Sequence, residues 1–383
     1  MERAVALSRS RVLWVIKGLG LGGAERLLSL VVPRLDADRF VVDVAYVLPH
    51  KDALVPGLRA HGVRVAALAR PEDRPGHWMR RLARLVRREG YDLVHTHSPV
   101  PAAVVRLSVP RSVTVVHTEH NQWERYRLPT RLANAVTYGR NDAVLSVSDG
   151  VTGSIRPPAV GLGGRAPETE TLLHGVVPET APRGPVARQD ARTRLGFADN
   201  DLLIGCVANF TPKKDHAGLL EAFAQVHVEL PRTRLLLVGT GPLEVGLRSR
   251  VTDLGLSAAV RFLGRRDDAL DLLPALDVFV LGSRFEGLPI ALIEAMAAEV
   301  ACVATRVGGV PEAVRDGVTG RLVVARRPAA LAGVLLELLH DEQQRHRLAH
   351  SGREHVAEHF SIDRAVQRTT ELYTALLARG ERP

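Results

Sequence analysis

Apolar residues in this chain come in short β-branched runs, separated by stretches whose apolar positions repeat every three or four residues. In the first half the runs predict strands over residues 11–17, 40–48, 63–68, 92–96, 112–117 and 143–147, with helices over 24–35 and 78–88. In the second of these helices Trp78, Leu82, Leu85 and Val86 share one face, and Arg80, Arg81, Arg84, Arg87 and Arg88 lie elsewhere. That is the pattern of an amphipathic helix on the outside of a sheet domain. Strands alternating with helices predict a parallel, doubly wound sheet. Residues 156–167 are rich in Pro and Gly and read as a loop, and 178–185 reads as an interdomain linker. A second series follows, with strands over 202–208, 234–238, 260–263, 278–281, 300–305 and 322–324. Its helices are expected over 219–229, from Pro289 onward, and over 328–339, 342–358 and 363–378. The two halves read as two versions of one α/β architecture. The expected domains are 1–180 and 181–360, with 361–383 a terminal helix.

A length of 383 residues agrees with two domains. Cys206 and Cys302 both sit in apolar runs and read as small core residues, not a disulfide framework or metal site. A reducing cytoplasm is the natural expectation. The longest N-terminal apolar run, Val12 to Ile16, stops at Lys17, too short for a signal peptide or a membrane span. A net charge of +9 favours anionic partners such as nucleotides, phosphorylated lipids or an acidic membrane surface. Aromatic residues make up only 4%, so stacking platforms for nucleic acid are not evident, and none is expected as partner.

The most informative stretch runs from Phe285 to Glu294. Two carboxylates, Glu286 and Glu294, lie eight positions apart, one in a glycine-containing loop and one in a helix expected to open at Pro289. The unpaired N–H groups of such a first turn, with the helix dipole, offer a phosphate site. At about 1.5 Å rise per residue, Glu294 falls roughly 7.5 Å along the axis from Pro289, a distance that suits the ribose of the same nucleotide. Glu286 then faces the other side of the phosphates.

Other strand ends carry chemistry too. Asn209-Phe210-Thr211-Pro212-Lys213-Lys214 follows a strand and precedes a helix, and a lysine there can serve as a compact charge on a phosphate. Gly239-Thr240-Gly241, Gly264-Arg265 and Val307-Gly308-Gly309-Val310-Pro311-Glu312 close further strands at the end where ligands bind in open α/β sheets. Gly18, Gly20 and Gly23 fit G-x-G-x-x-G, but the expected acidic partner is missing from the end of the second strand, because Asp43 lies inside it. The loop therefore reads as flexible backbone that approaches a ligand closely, and a nicotinamide or flavin site is the lesser reading. His95, His97, His117 and His120 gather at two strand ends, without the Cys or carboxylate spacing of a metal site. A single strand-end histidine facing the ligand is the reading there, and no metal is expected.

Together these residues resemble family 4 glycosyltransferases of the GT-B fold, glycosyl transferase group 1 type. The resemblance rests on Gly22-Gly23-Ala24-Glu25-Arg26, Asp92-Leu93-Val94-His95-Thr96-His97, Thr118-Glu119-His120, the Lys214 loop, Phe285 through Glu294, and Val307 through Glu312 with Gly317-Val318-Thr319-Gly320. It implies two Rossmann-like doubly wound domains facing an interdomain cleft, with the last helix returning to the first domain. The first domain would bind the acceptor and the second a nucleotide-sugar donor. Carried over by position, Glu294 binds the ribose, Glu286 and His120 meet the donor sugar, and Lys214 with Gly287, Leu288 and Pro289 meets the diphosphate. Gly22 and Gly23 approach the donor from the first domain, Asn209 and Gly241 lie beside it, and Arg265 sits where backbone usually holds the base.

Two departures stand out: Asn209 replaces the family's usual arginine beside the phosphate, and His174-Gly175 replaces a frequent Asn-Gly, keeping the glycine's turn role. The reaction implied is retaining transfer of a hexose or N-acetylhexosamine from a UDP- or, less favoured, GDP-sugar to a glycan, glycolipid or small-molecule acceptor, with neither metal nor cofactor. Polysaccharide biosynthesis and a peripheral position at the inner face of an anionic membrane fit that reading. A sugar-nucleotide 2-epimerase and an inactive nucleotide-sugar-binding partner of another transferase share the architecture and stay open at this point.

Overall fold

The computed structural model describes residues 9–157, 162 and 166–380, so parts of the loop expected over 156–167 lie outside the described residues. The chain divides into two units, one of residues 1–174 with 362–383 and one of residues 175–361.

The first unit holds β1 (Ser10–Ile16), β2 (Phe40–Tyr46), β3 (Arg64–Ala67), β4 (Leu93–Thr96), β5 (Thr114–Glu119), β6 (Ala143–Ser146) and β7 (Glu168–Thr171). They form one sheet in the order β3-β2-β1-β4-β5-β6-β7, and every pairing is parallel. Parallel strands are covered on both faces, which is why Val12 to Ile16 reads as an unbroken apolar run and is buried throughout. The second unit holds β8 (Leu202–Val207), β9 (Thr233–Val238), β10 (Val260–Gly264), β11 (Val278–Leu281), β12 (Ala301–Thr305) and β13 (Arg321–Val323). Their order is β10-β9-β8-β11-β12-β13, again parallel. In both sheets the order reverses once, beside β1 and β4 in the first and beside β8 and β11 in the second. Such a reversal opens a crevice at the carboxyl ends of the two diverging strands.

Several boundaries moved, each for a local reason. The helix expected over 24–35 ends as an α-helix at Val31 and tightens into a 3₁₀ turn over Val32–Arg34, where Pro33 has no N–H to give. Pro289 is not the first helical residue: with ψ 99° it is the extended residue before the helix Ile290–Ala297. Strand β5 continues through Thr118 and Glu119 because both polar side chains are answered inside. His95 Nε2 meets Thr118 Oγ1 at 2.7 Å, and Trp123 Nε1 donates to Glu119 at 2.8 Å. Within 178–185 there is a 3₁₀ turn, Pro178–Thr180, and the start of a helix, Gly184–Leu195.

Several elements escape the hydrophobic pattern, among them the helices Val55–Ala60, Gly184–Leu195 and Glu244–Asp253. Strand β7 is Glu-Thr-Glu-Thr, with no apolar residue, and it exists through its pairing with β6. The helix Pro99–Ser108 begins Pro-Val-Pro, and the helix Leu128–Thr137 leaves Leu128, Leu132 and Val136 exposed. The last helix, Ile362–Gly380, belongs to the first unit. Arg368 holds Glu170 of β7 with two bonds of 2.7 Å, and Tyr373 lies edge-on to Phe40 and bonds to His95. Both cysteines are buried and free, and burial pushes the Cys206 thiol up to about 12, as suits inert core residues.

Candidate functional site

In the second unit Asn209, Lys214 and Glu286 lie on the loops that follow β8 and β11, the two strands at the sheet's reversal point. The chain leaves β8 through Ala208 and the exposed Asn209, and buries Phe210. It then makes a 3₁₀ turn over Pro212–Lys214 before the helix His216–Glu229. Phe210 N–H donates to the Thr240 carbonyl at 2.9 Å. A Cβ on Gly241 would stand 2.5 Å from the Phe210 carbonyl oxygen, so the loops after β8 and β9 touch only because residue 241 is glycine. Asp215 adopts φ 47°, a left-handed conformation uncommon outside glycine, and Arg284 Nη2 holds its carboxylate at 2.8 Å.

The chain leaves β11 through Gly282 and Ser283 and turns at Glu286. That carboxylate is only 5% exposed and is fully coordinated. Lys214 Nζ and Ser283 Oγ each donate to Oε1 at 2.6 Å, and Lys213 Nζ lies 3.0 Å from Oε2. Burial works to raise the Glu286 pKa, yet the charges of Lys214 and Lys213 and the bonds from Lys214 and Ser283 hold it below the ordinary glutamate value. Sequence had placed Glu286 on a sugar and Lys214 on a phosphate; here they form one ion pair.

The loop after β12 closes the arrangement. Thr305 Oγ1 donates to the Ser283 carbonyl, and Gly309 N–H donates to the Gly287 carbonyl at 2.8 Å. Gly308 has φ 52°, and a Cβ there would fall 1.9 Å from the Glu286 carbonyl oxygen. Leu288 and Pro289 lead into the helix Ile290–Ala297, and Glu294 is half-buried on its second turn. Arg265 is exposed and pairs with Asp267 at 3.3 Å.

In the first unit Gly22 precedes the helix Gly23–Val31, and its carbonyl accepts from Arg26 N–H at 2.9 Å. None of Gly18, Gly20, Gly22 and Gly23 has a positive φ. The nearest atoms to a Cβ on Gly18 and Gly22 belong to the flexible side chains of Lys51 and Glu25. Gly175, assigned a turn role from sequence, has no positive φ either; it is glycine because a Cβ would fall 1.7 Å from the Phe360 carbonyl oxygen.

The histidines form a stacked group. His97 stacks on Trp14 with ring centroids 4.3 Å apart, His95 tilts against both rings, and His120 stacks with His174 at 6.2 Å. His97 Nδ1 and His120 Nε2 are 3.2 Å apart, within hydrogen-bond distance. Burial pushes His120 down to about 4 and His174 to about 3, and it holds His95 and His97 well below the ordinary value, so the group is neutral near pH 7. Among the described residues no group of three or more His, Cys, Asp or Glu is arranged to hold a metal ion.

Sequence reasoning passed over Lys213 and Ser283. Two successive lysines look interchangeable in sequence, and only the 3₁₀ turn shows that both ammonium groups reach one carboxylate. Ser283, three residues before Glu286, carried no signal of its own.

Comparison with known proteins bears on the family and the fold. The family model for "Glycosyl transferases group 1" matches residues 187–355 and that for "Glycosyltransferase Family 4" matches residues 21–157. The N-acetyl-alpha-D-glucosaminyl L-malate synthase of Bacillus anthracis is 26% identical over 78% of this chain and 78% of its own. The GDP-mannose-dependent alpha-(1-6)-phosphatidylinositol monomannoside mannosyltransferase of Mycobacterium tuberculosis H37Rv is 28% identical over 89% of this chain and 92% of its own. Among solved structures, Anabaena HepE in complex with UDP and glucose superposes with a TM-score of 0.84 at 23% identity, over 96% of this chain and all of that one.

Proposed function

The chain belongs to the family 4 glycosyltransferases, and we propose that it transfers a hexose or N-acetylhexosamine from a nucleoside-diphosphate sugar, with retention and without a metal. The observation that supports this reading is the cluster of Lys213, Lys214 and Glu286 at the carboxyl ends of β8 and β11, where open sheets of this kind bind ligands. In the proposed complex Lys214 and the first turn of the helix Ile290–Ala297 take the diphosphate with Asn209 beside it, Glu294 takes the ribose hydroxyls, Arg265 borders the base, and Gly241 lies beside the donor. Glu286 takes the sugar; family resemblance assigns His120 to the sugar, and Gly22 and Gly23 to the donor.

The chemistry follows from charge. As the bond between the anomeric carbon and the phosphate oxygen breaks, its electron pair stays on that oxygen. Fixed cations stabilise the resulting charge more in the transition state than in the ground state. The acceptor hydroxyl attacks from the same face and passes its proton to the departing phosphate oxygen, so no covalent enzyme nucleophile is required.

Uracil is the proposed base, supported by the UDP-bound relative; the mannosyltransferase relative is the argument for guanine. A glycan, glycolipid or small molecule is the proposed acceptor. The net charge of +9 supports one carrying phosphate or lying at an anionic membrane, although no helix among the described residues is long and apolar enough to cross one. The test is acceptor dependence: with the correct donor, nucleoside diphosphate should appear in step with a glycosylated acceptor. Interconversion of the donor sugar with no acceptor would instead establish an epimerase.

A further inference from the structure

We propose that Lys213 is a positioning residue of the donor site: it holds Glu286 through Oε2, so that Lys214 is free to leave this carboxylate for the diphosphate. The proposal rests on the nucleotide-sugar reading above. Its basis is a count of charges and hydrogen bonds around one buried carboxylate. Five charged side chains meet in these two loops, Lys213, Lys214 and Arg284 against Asp215 and Glu286. Arg284 and Asp215 satisfy each other at 2.8 Å, and the adjoining His216 is neutral, pushed down to about 4 by burial. Two ammonium groups therefore share one carboxylate, and one positive charge is in excess.

The two lysines are not equivalent. Lys213 is anchored three ways: its Nζ lies 3.0 Å from Oε2, the same atom lies 5.5 Å from the centre of the Phe285 ring, and its carbonyl accepts from Arg284 N–H at 2.8 Å. Lys214 shares Oε1 with the Ser283 hydroxyl, both at 2.6 Å. When Lys214 swings to a phosphate, Oε1 keeps Ser283 and Oε2 keeps Lys213, so neither oxygen is orphaned. Without Lys213 the same movement would strand a buried carboxylate with one neutral donor, a costly state. Lys214 would then remain where it is, and the phosphate would lose its cation.

This coupling has a signature that a direct phosphate contact lacks. Binding of UDP and of GDP is measured by calorimetry in EDTA for wild type, Lys213→Met and Lys213→Arg, each with Glu286 intact and with Glu286→Gln; thermal melts verify folding. With Glu286 intact, Lys213→Met should weaken nucleoside diphosphate binding about tenfold or more, the scale of one hydrogen bond to a charged group, and Lys213→Arg should restore it. In the Glu286→Gln background Lys213→Met should change affinity by less than about twofold, since no buried charge remains to be held. Equal weakening in both backgrounds, or no weakening with Glu286 intact, overturns the proposal while leaving the nucleotide-sugar reading in place. If wild type binds neither nucleotide, that reading fails and the role of Lys213 falls with it.

Discussion

Acidification from pH 7 to pH 5 should destabilise the second unit, with His216 the most deeply buried contributor beside His227 and His355, whose pKa values burial also lowers. His216 is 1% exposed, edge-on to Phe210 at 4.9 Å, and its Nδ1 has no hydrogen-bond partner. Burial pushes its pKa down to about 4. The unfolded chain takes up a proton at the ordinary histidine value of about 6.5, the folded chain only near 4, so between these values the unfolded state binds more protons. The contribution is complete above the unfolded value and is lost as pH falls towards the folded one. Over the window from pH 7 to pH 5 the loss works out at about 2 kcal/mol.

Glu286, held below the ordinary carboxylate value, does not titrate in this window. The assay is native-state hydrogen exchange of the β8 amides at both pH values, in wild type and His216→Phe, corrected for intrinsic exchange. Wild type should lose about 2 kcal/mol of opening free energy more than the variant. Parallel behaviour of the two would refute the assignment of a buried, neutral His216. The first unit carries the same sign in His95, His97, His120 and His174. Fluorescence from Trp14, Trp78 and Trp123, all in that unit, should report its acid loss separately.

Two further outcomes follow from the site. Gly308→Ala combines a positive φ with a Cβ 1.9 Å from the Glu286 carbonyl oxygen; it should cost about 1–3 kcal/mol in a melt and weaken donor binding, and wild-type behaviour would mean the loop is not held as described. Glu286→Gln should lower turnover about a hundredfold or more with the far-ultraviolet spectrum unchanged, and near-normal turnover would remove Glu286 from the proposed chemistry.

The alternation of apolar runs and helical periods made the parallel sheets legible, because strands covered on both faces must be apolar along their length. β7 was illegible for the opposite reason: Glu-Thr-Glu-Thr at a sheet edge is stabilised by β6 and the last helix, which no local pattern reports. The placement of Glu286, Lys214 and the glycine loops at strand ends could be read from motif and order. Their pairing could not, since Glu286 and Lys214 lie 72 positions apart and meet only through the adjacency of β8 and β11. The glycines divide in the same way. Gly308 and Gly241 are required by backbone atoms of other loops, and nothing in their own neighbourhoods states that.

The most direct test of the central claim is binding and slow hydrolysis across UDP-, GDP-, ADP- and TDP-sugars with purified protein in EDTA. The account predicts that one donor, a UDP-sugar before a GDP-sugar, binds and releases its nucleoside diphosphate without metal, and that Lys214→Ala weakens both steps. Absence of binding by every donor, or release that requires a divalent metal, would contradict it.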